Sequence, residues 1–346
     1  MKGLTKHRLF WPVVALLVLL LGDLIASPSF FKIELRDGHL YGNLVDILKN
    51  GAPLILIAIG MTLVIATRGI DLSVGAVVAI SGSLACLWIA GHPDGLGATL
   101  TAVGLALGLS LVLGVWNGWL VAALGIQPII ATLILMVAGR GIAQLISGGQ
   151  IITINSGPYE WIGSGFAFTL PGAILIALAV FVLASLLVRR SALGLLVEAV
   201  GGNPEASRLA GLRSARLTWL VYVFCALCAG IAGLMISANV HSADANNAGL
   251  FIELDAILAV VIGGTQLTGG RFSLGGSVLG ALLIQTLTTT VYALGIPPKA
   301  IMLFKAVVVL VVCLMQSPAF RRRFRRRRGT HPVTPAPSPE KVEVGV

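Results

Sequence analysis

The sequence predicts an all-α integral membrane protein of about ten transmembrane helices, some broken or re-entrant, arranged in two related halves. Three observations carry this expectation. Of the 346 residues, 57% are hydrophobic and only 11% charged, with a mean hydropathy of +0.96, whereas a soluble globular domain carries about 25% charged residues. The apolar runs are continuous and rich in Leu, Ala and Val, and several approach the ~20 residues that a helix needs to cross a bilayer. A membrane β-barrel would need short alternating segments instead. Third, Lys and Arg collect on alternate connections between the runs.

The first apolar run, 9–26, follows a short basic start and is read as an uncleaved first helix, because more spans follow and no small-residue cleavage pattern stands out. A polar segment, 27–46, comes next. Further candidate spans are 51–67, 72–91, 97–123, 127–147, 168–188, 216–238, 254–264, 274–292 and 300–316. The eighth, 254–264, is short and ends in Gly, as a half-helix or re-entrant segment would. With both termini in the cytoplasm, the inner segments carry 18 of the 24 Lys and Arg residues, the outer ones four, and two (Arg140 and Lys305) fall within spans. That asymmetry supports an even count. Two regions follow: a polytopic transmembrane domain, 1–320, and a tail, 321–346. The tail holds seven arginines between Arg321 and Arg328 and then a Pro-rich end. Because the arginines directly follow a span, they read as an anchor for anionic lipid headgroups rather than for nucleic acid, and the Pro-rich end as disordered.

Between the sixth and seventh spans lies a basic loop, 189–216, that contains a short helix with clear punctuation. Asn203 is a good N-cap. Pro204 sits where a missing N–H costs nothing. Glu205 and Arg208 suit the two ends of the helix dipole, and Gly211 can take the left-handed conformation that closes a helix. Both stop signals together suggest a docking element rather than a linker.

Polar residues in or beside spans are expensive unless they face a cavity or a partner. Asp71, Asn117, Gln127, Arg140 and Asp255 are therefore candidates for a translocation path. The structural alternatives stand beside that reading: a helix cap for Asp71, an ion pair for Arg140, and interhelical hydrogen bonds for Asn117 and Gln127. Residues 60–82 and 258–281 share a loose pattern of an apolar run, Gly near a basic residue, then a second apolar run, which suggests two related halves with discontinuous helices. The four cysteines, Cys86, Cys225, Cys228 and Cys313, all lie in apolar segments and read as packing residues, the C-x-x-C spacing included. No phosphate-binding G-x-x-x-x-G-K-[ST] loop, no H-E-x-x-H, no G-x-S-x-G and no dense His/Cys cluster occurs, so no catalytic site stands out and ATP is not expected to bind through such a loop.

Four long runs carry a family resemblance: ILIAIGMTLVIATRGIDLSVGAVVAISG, WNGWLVAALGIQPIIATLILMVAGRGIAQLISGGQ, VEAVGGNPEASRLAGL and ADANNAGLFIELDAILAVVIGGTQLTGGRFSLGGSVLGALLIQ. They resemble the membrane permeases of ribose-type bacterial ABC sugar importers, over nearly the whole chain to about Gln316; the tail is not part of the family pattern. The resemblance implies a bacterial inner-membrane subunit that imports a galactofuranose- or ribose-like sugar. It implies a second permease copy or relative, a cytoplasmic ATPase that holds the ATP and Mg, and a periplasmic sugar-binding protein; this chain itself needs no cofactor. The helix Asn203–Ala210 matches the family's coupling element, and with it Glu198, Gly201, Asn203, Pro204, Glu205, Ala206, Arg208 and Gly211 become coupling candidates. Asp244, Asn246 and Asn247 fall where the binding protein would dock. A self-contained ion-coupled carrier, with Asp71, Arg140 and Asp255 as a relay, is the alternative.

Overall fold

The computed structural model describes residues 10–26, 28–295, 297, 303–307, 310 and 314. The tail, Cys313, the basic start and most of the expected span 300–316 lie outside the described residues.

Helix α1 (Phe10–Ala26) leads through a 3-10 turn to a hairpin of β1 (Glu34–Arg36) and β2 (His39–Tyr41). Asp37 and Gly38 both have positive φ, 51° and 79°, the primed turn that an Asp-Gly pair favours. Four long helices follow: α2 (Asn43–Ala66), α3 (Val74–Ala90), α4 (Leu96–Ala122) and α5 (Pro128–Ser147). Short pieces then intervene: β3 (Ile152–Thr153), α6 (Gly157–Gly163), and a hairpin of β4 (Phe166–Ala167) and β5 (Leu170–Pro171). Beyond them come α7 (Gly172–Arg190), the polar loop as α8 (Leu193–Gly202) and α9 (Pro204–Leu209), and α10 (Ser214–Val240). The strand β6 (Ser242–Ala243), α11 (Ile252–Ile262) and α12 (Leu274–Ala293) complete the described succession of elements.

The centre of the bundle is α2 against α10. Every residue of α2 from Gly51 to Ala66 is buried, and α10 packs on α2, α3 and α4. Small residues set these distances, as expected where lipid offers no hydrophobic drive between helices. A Cβ on Gly60 would stand 2.8 Å from the Cα of Cys225, so α2 and α10 touch backbone to backbone there. By contrast α5 and α7 turn apolar side chains outward, such as Val137 and Leu178, the faces a hydrocarbon core would cover.

The connections segregate to two ends. At one end the Leu40 N–H donates to the Thr169 carbonyl at 3.0 Å, and the Ile154 N–H to that of His241 at 3.0 Å. There too Ser156 donates to Asp94, and β3 pairs antiparallel with β6, Ile152 opposite Ala243. At the other end the Gly270 N–H donates to the Ala66 carbonyl at 2.9 Å, and the Leu72 N–H to Thr132 Oγ1 at 3.1 Å.

Among the described residues six helices are long and apolar enough to cross a membrane: α2, α4, α5, α7, α10 and α12. Helices α1, α3 and α11 occupy three more of the expected spans but are shorter, at 17, 17 and 11 residues. The 11 residues of α11 rise about 16 Å, about half of a ~30 Å hydrocarbon core. The stretch before it is irregular backbone, with His241 and Phe251 at φ 53° and 62°.

Three boundaries differ from expectation for physical reasons. Helix α2 starts at Asn43 rather than 51, because Gly42 at φ 142° breaks the chain and the helix runs on through polar residues. Helix α7 starts at Gly172 rather than 168, because residues 166–171 form the β4–β5 hairpin. The polar loop holds two helices rather than one. Helix α8 buries Gly194, Val197, Val200 and Gly201, an i, i+3, i+6, i+7 pattern that marks one face of a helix.

Candidate coupling and permeation site

The α9 helix is built as its sequence implies. Asn203 is extended, and its side-chain oxygen accepts from the Ala206 N–H at 3.0 Å. Pro204 is the first helical residue, and Gly211, just past the end, has φ 83°. Arg208 pairs with Glu205 at 2.7 Å, and this bond holds the exposed Glu205 carboxyl below its ordinary range. Leu209 is 78% exposed, an apolar tip on an otherwise polar helix. Glu198 of α8 lines a cleft with Arg189, Leu195, Phe272 and Ser273. Gly201, the penultimate residue of α8, lies so close to the Ala66 carbonyl and the Gly270 N–H that a Cβ would collide with both.

The turn between α2 and α3 is held from inside. Asp71 is buried, and its Oδ1 accepts from the Ser73 N–H at 2.9 Å and the Ser73 hydroxyl at 2.6 Å. The Ser73 hydroxyl in turn accepts from Asn117 Nδ2 of α4 at 2.8 Å. The expected capping role of Asp71 is thus met two residues on, as an Asx-type turn ahead of α3. Asn117 is buried and bonds between helices. Its Oδ1 and the Tyr222 hydroxyl are buried without a hydrogen-bond partner among the described residues.

Arg68 is a site residue that sequence reasoning missed. It ends α2 in a Schellman motif: the Arg68 N–H donates to the Ile65 carbonyl and the Gly69 N–H to that of Val64, both at 2.9 Å. The left-handed position of that motif usually belongs to glycine, yet Arg68 holds it at φ 66°, at a cost of about 1–2 kcal/mol. Its guanidinium reaches across to α8, where Nε donates to the Gly201 carbonyl at 2.5 Å and Nη2 to that of Gly202. The signal was an Arg, not a Gly, at a helix end.

At the opposite end of the bundle a polar cluster forms. Arg140 of α5 donates through Nη1 to the carbonyls of Ala245 and Ala248, at 3.1 and 2.6 Å. One turn on, Gln144 donates to Asn246 Oδ1 at 2.6 Å. Asp244 accepts from the N–H groups of Asn246 and Asn247 at 2.9 and 3.2 Å, and from Asn247 Nδ2 at 2.7 Å. Chiefly that last bond keeps the Asp244 carboxyl below its ordinary range. Arg140, Asp244, Asn246 and Asn247 therefore belong to one cluster. Gln144 and the buried Glu253 beside it were not singled out from the sequence.

The remaining candidates are elsewhere. Gln127 stands at the N-cap of α5, 13 positions and about 20 Å along the helix from Arg140. Asp255 pairs with Lys305 at 2.7 Å, and the buried Asp23 of α1 accepts from Thr290 at 2.9 Å. Asp71, Arg140 and Asp255 each bond to separate partners among the described residues. Cys86, Cys225 and Cys228 are buried, and no group of His, Cys, Asp and Glu that could hold a metal occurs among the described residues.

Comparison with known proteins supplies the family. A family model described as the permease component of the branched-chain amino acid transport system matches residues 43–313. The chain is 52% identical over 322 residues to the galactofuranose transporter permease of Escherichia coli strain K12, covering 91% of this chain and 93% of that one. It is 41% identical to the fructose import permease of Bifidobacterium longum, over 92% of this chain and 90% of that one. To the ribose import permease of Escherichia coli strain K12 it is 36% identical, over 88% and 92%. No solved structure matches. With the family match running unbroken from the start of α2 to beyond α12, and full-length sugar permeases aligned across nine-tenths of the chain, this protein belongs to the permease component family of the branched-chain amino acid transport system.

Proposed function

We propose that this chain is the transmembrane subunit of an ATP-driven importer for a monosaccharide, with galactofuranose as the leading cargo. The observation that carries the reading is the pair of helices α8 and α9. Helix α9 is capped, polar and exposed, and the apolar α8 before it seats against the turns that follow α2 and α11 rather than hanging free. A linker needs neither caps nor a backbone-close seat. An element that receives the stroke of a separate ATPase needs both. The sugar assignment rests on the 52% identity to a galactofuranose permease.

The proposal places ten spans in a bacterial inner membrane, with both termini and the α8–α9 element in the cytoplasm. The end that gathers β3, β6 and the polar cluster then faces outward. There Asp244, Asn246 and Asn247 meet a periplasmic sugar-binding protein. Arg140 and Gln144 line the entry, where guanidinium and amide groups suit a solute rich in hydroxyls. Asn117, Gln127 and Asp255 act in helix packing and pairing. A second permease, identical or related, completes the path, and the ATP and Mg sit on the ATPase. The pairs α2–α3 and α11–α12 are the corresponding parts of two related halves. Tail arginines contact anionic lipid, and no nucleic acid takes part.

Uptake of a panel of labelled sugars by cells expressing the complete importer tests the cargo. Galactofuranose should enter faster than galactopyranose, ribose and fructose. Equal rates for all four, or preference for another sugar, would remove the assignment.

A further inference from the structure

We infer that Arg68 is a positioning residue that carries movement of the α8–α9 element into the buried turn between α2 and α3. The inference rests on the coupling role proposed above and names the side chain through which coupling passes. Three facts point to it. First, Arg68 takes a backbone position that glycine fills more easily, so the residue type is explained by the side chain and not by the turn. Second, the guanidinium fork meets the last two carbonyls of α8, Gly201 and Gly202. Those carbonyls have no partner within their own helix and lie at the negative end of its dipole, and the last turn of α8 has no basic residue of its own. Third, the junction has no slack. The Gly270 N–H donates to the Ala66 carbonyl at 2.9 Å, and neither Gly201 nor Gly269 has room for a Cβ. A shift of α8 therefore moves Arg68 at once, and three residues on lies Asp71, whose bonds run through Ser73 to Asn117 of α4. Lysine cannot reproduce the contact, because a single ammonium does not span two carbonyls as a planar fork does.

Two variants separate this role from a merely structural one. Arg68→Gly keeps the turn, eases its left-handed backbone and removes the fork, so a role confined to ending α2 predicts wild-type behaviour or better. Arg68→Lys keeps the charge and loses the fork. Each is to be reconstituted in proteoliposomes with the ATPase and the binding protein loaded with galactofuranose, and three quantities read: permease abundance, basal ATP hydrolysis, and sugar imported per ATP hydrolysed. Both variants should keep abundance and basal hydrolysis within about twofold of wild type and lose about tenfold in import per ATP, within the range usual for coupling between sites. Unchanged import per ATP in Arg68→Gly would overturn the inference, as would a fall in import that only tracks a fall in abundance. A second measurement needs no activity. In the permease alone, backbone amide exchange should rise in both variants at residues 67–73 and at 200–203 together; a rise at only one of the two segments also overturns it. If the wild-type complex neither imports sugar nor raises ATP hydrolysis, the coupling reading itself fails, and the amide exchange still decides whether Arg68 links the two segments.

Discussion

Asp71 shows how a single buried polar residue divides into bond and charge. Its Oδ1 accepts twice from Ser73, and an asparagine oxygen accepts as well as a carboxylate oxygen does. Asp71→Asn should therefore stay near wild type in membrane abundance and transport. Asp71→Ala leaves the buried Ser73 N–H without its acceptor, at about 1–3 kcal/mol, and should lower abundance several-fold on immunoblots. Loss of transport in Asp71→Asn at normal abundance would mean that the charge itself acts. Asp244 gives the opposite case. Its folded-state pKa is depressed, chiefly by the Asn247 amide, so its contribution to stability is present above the unfolded pKa and lost as pH falls through the folded value. That window lies below about pH 4. Initial uptake rates between pH 5 and 8 should accordingly show no inflection that disappears in Asp244→Asn. The sequence made these residues visible as polar groups near apolar runs. It did not show their partners, because Ser73–Asn117 and Arg140–Ala248 bonds join segments 44 and 108 positions apart.

At the scale of elements, α9 was legible because its signals are local: Asn203, Pro204 and Gly211 act within one turn of where they stand. Helix α8 was not singled out, although its buried face repeats at helical spacing, because it is short and flanked by a span. Arg68 stayed hidden for a related reason. Its role depends on a helix that begins 125 positions later, and nothing near it in sequence announces that contact. A helix as short as the six residues of α9 is marginal alone in water, so caps and seat must hold it. Asn203→Ala removes the cap at about 1 kcal/mol, and Gly211→Val forces a β-branched residue into φ 83°, where L-residues lose about 1–2 kcal/mol. The double variant should reach the membrane at normal level, since no span is touched, yet co-purify with the ATPase several-fold less. Wild-type co-purification would return α9 to a linker.

The whole molecule was read most securely where the argument was about composition and charge. The helical membrane class follows from them, and apart from the early start of α2 the long helices stand within a few residues of the expected spans. The irregular stretch from Val240 to α11 was only partly foreseen, because its backbone is held by β3 and Arg140, both far away in sequence. Sidedness has a direct check in a cysteine-free background. A cysteine at Leu35, 66% exposed on the first hairpin, should react with an impermeant maleimide from outside, and one at Leu209 of α9 only after the membrane is opened. Labelling of both from one side would break the alternation of ends. The central claim, that a separate ATPase drives this permease, is tested most directly by the energy source of uptake in proteoliposomes holding the complete importer. Sugar should accumulate only with hydrolysable ATP and should continue after an uncoupler has collapsed the ion gradients. Accumulation without ATP that an uncoupler abolishes would contradict the account.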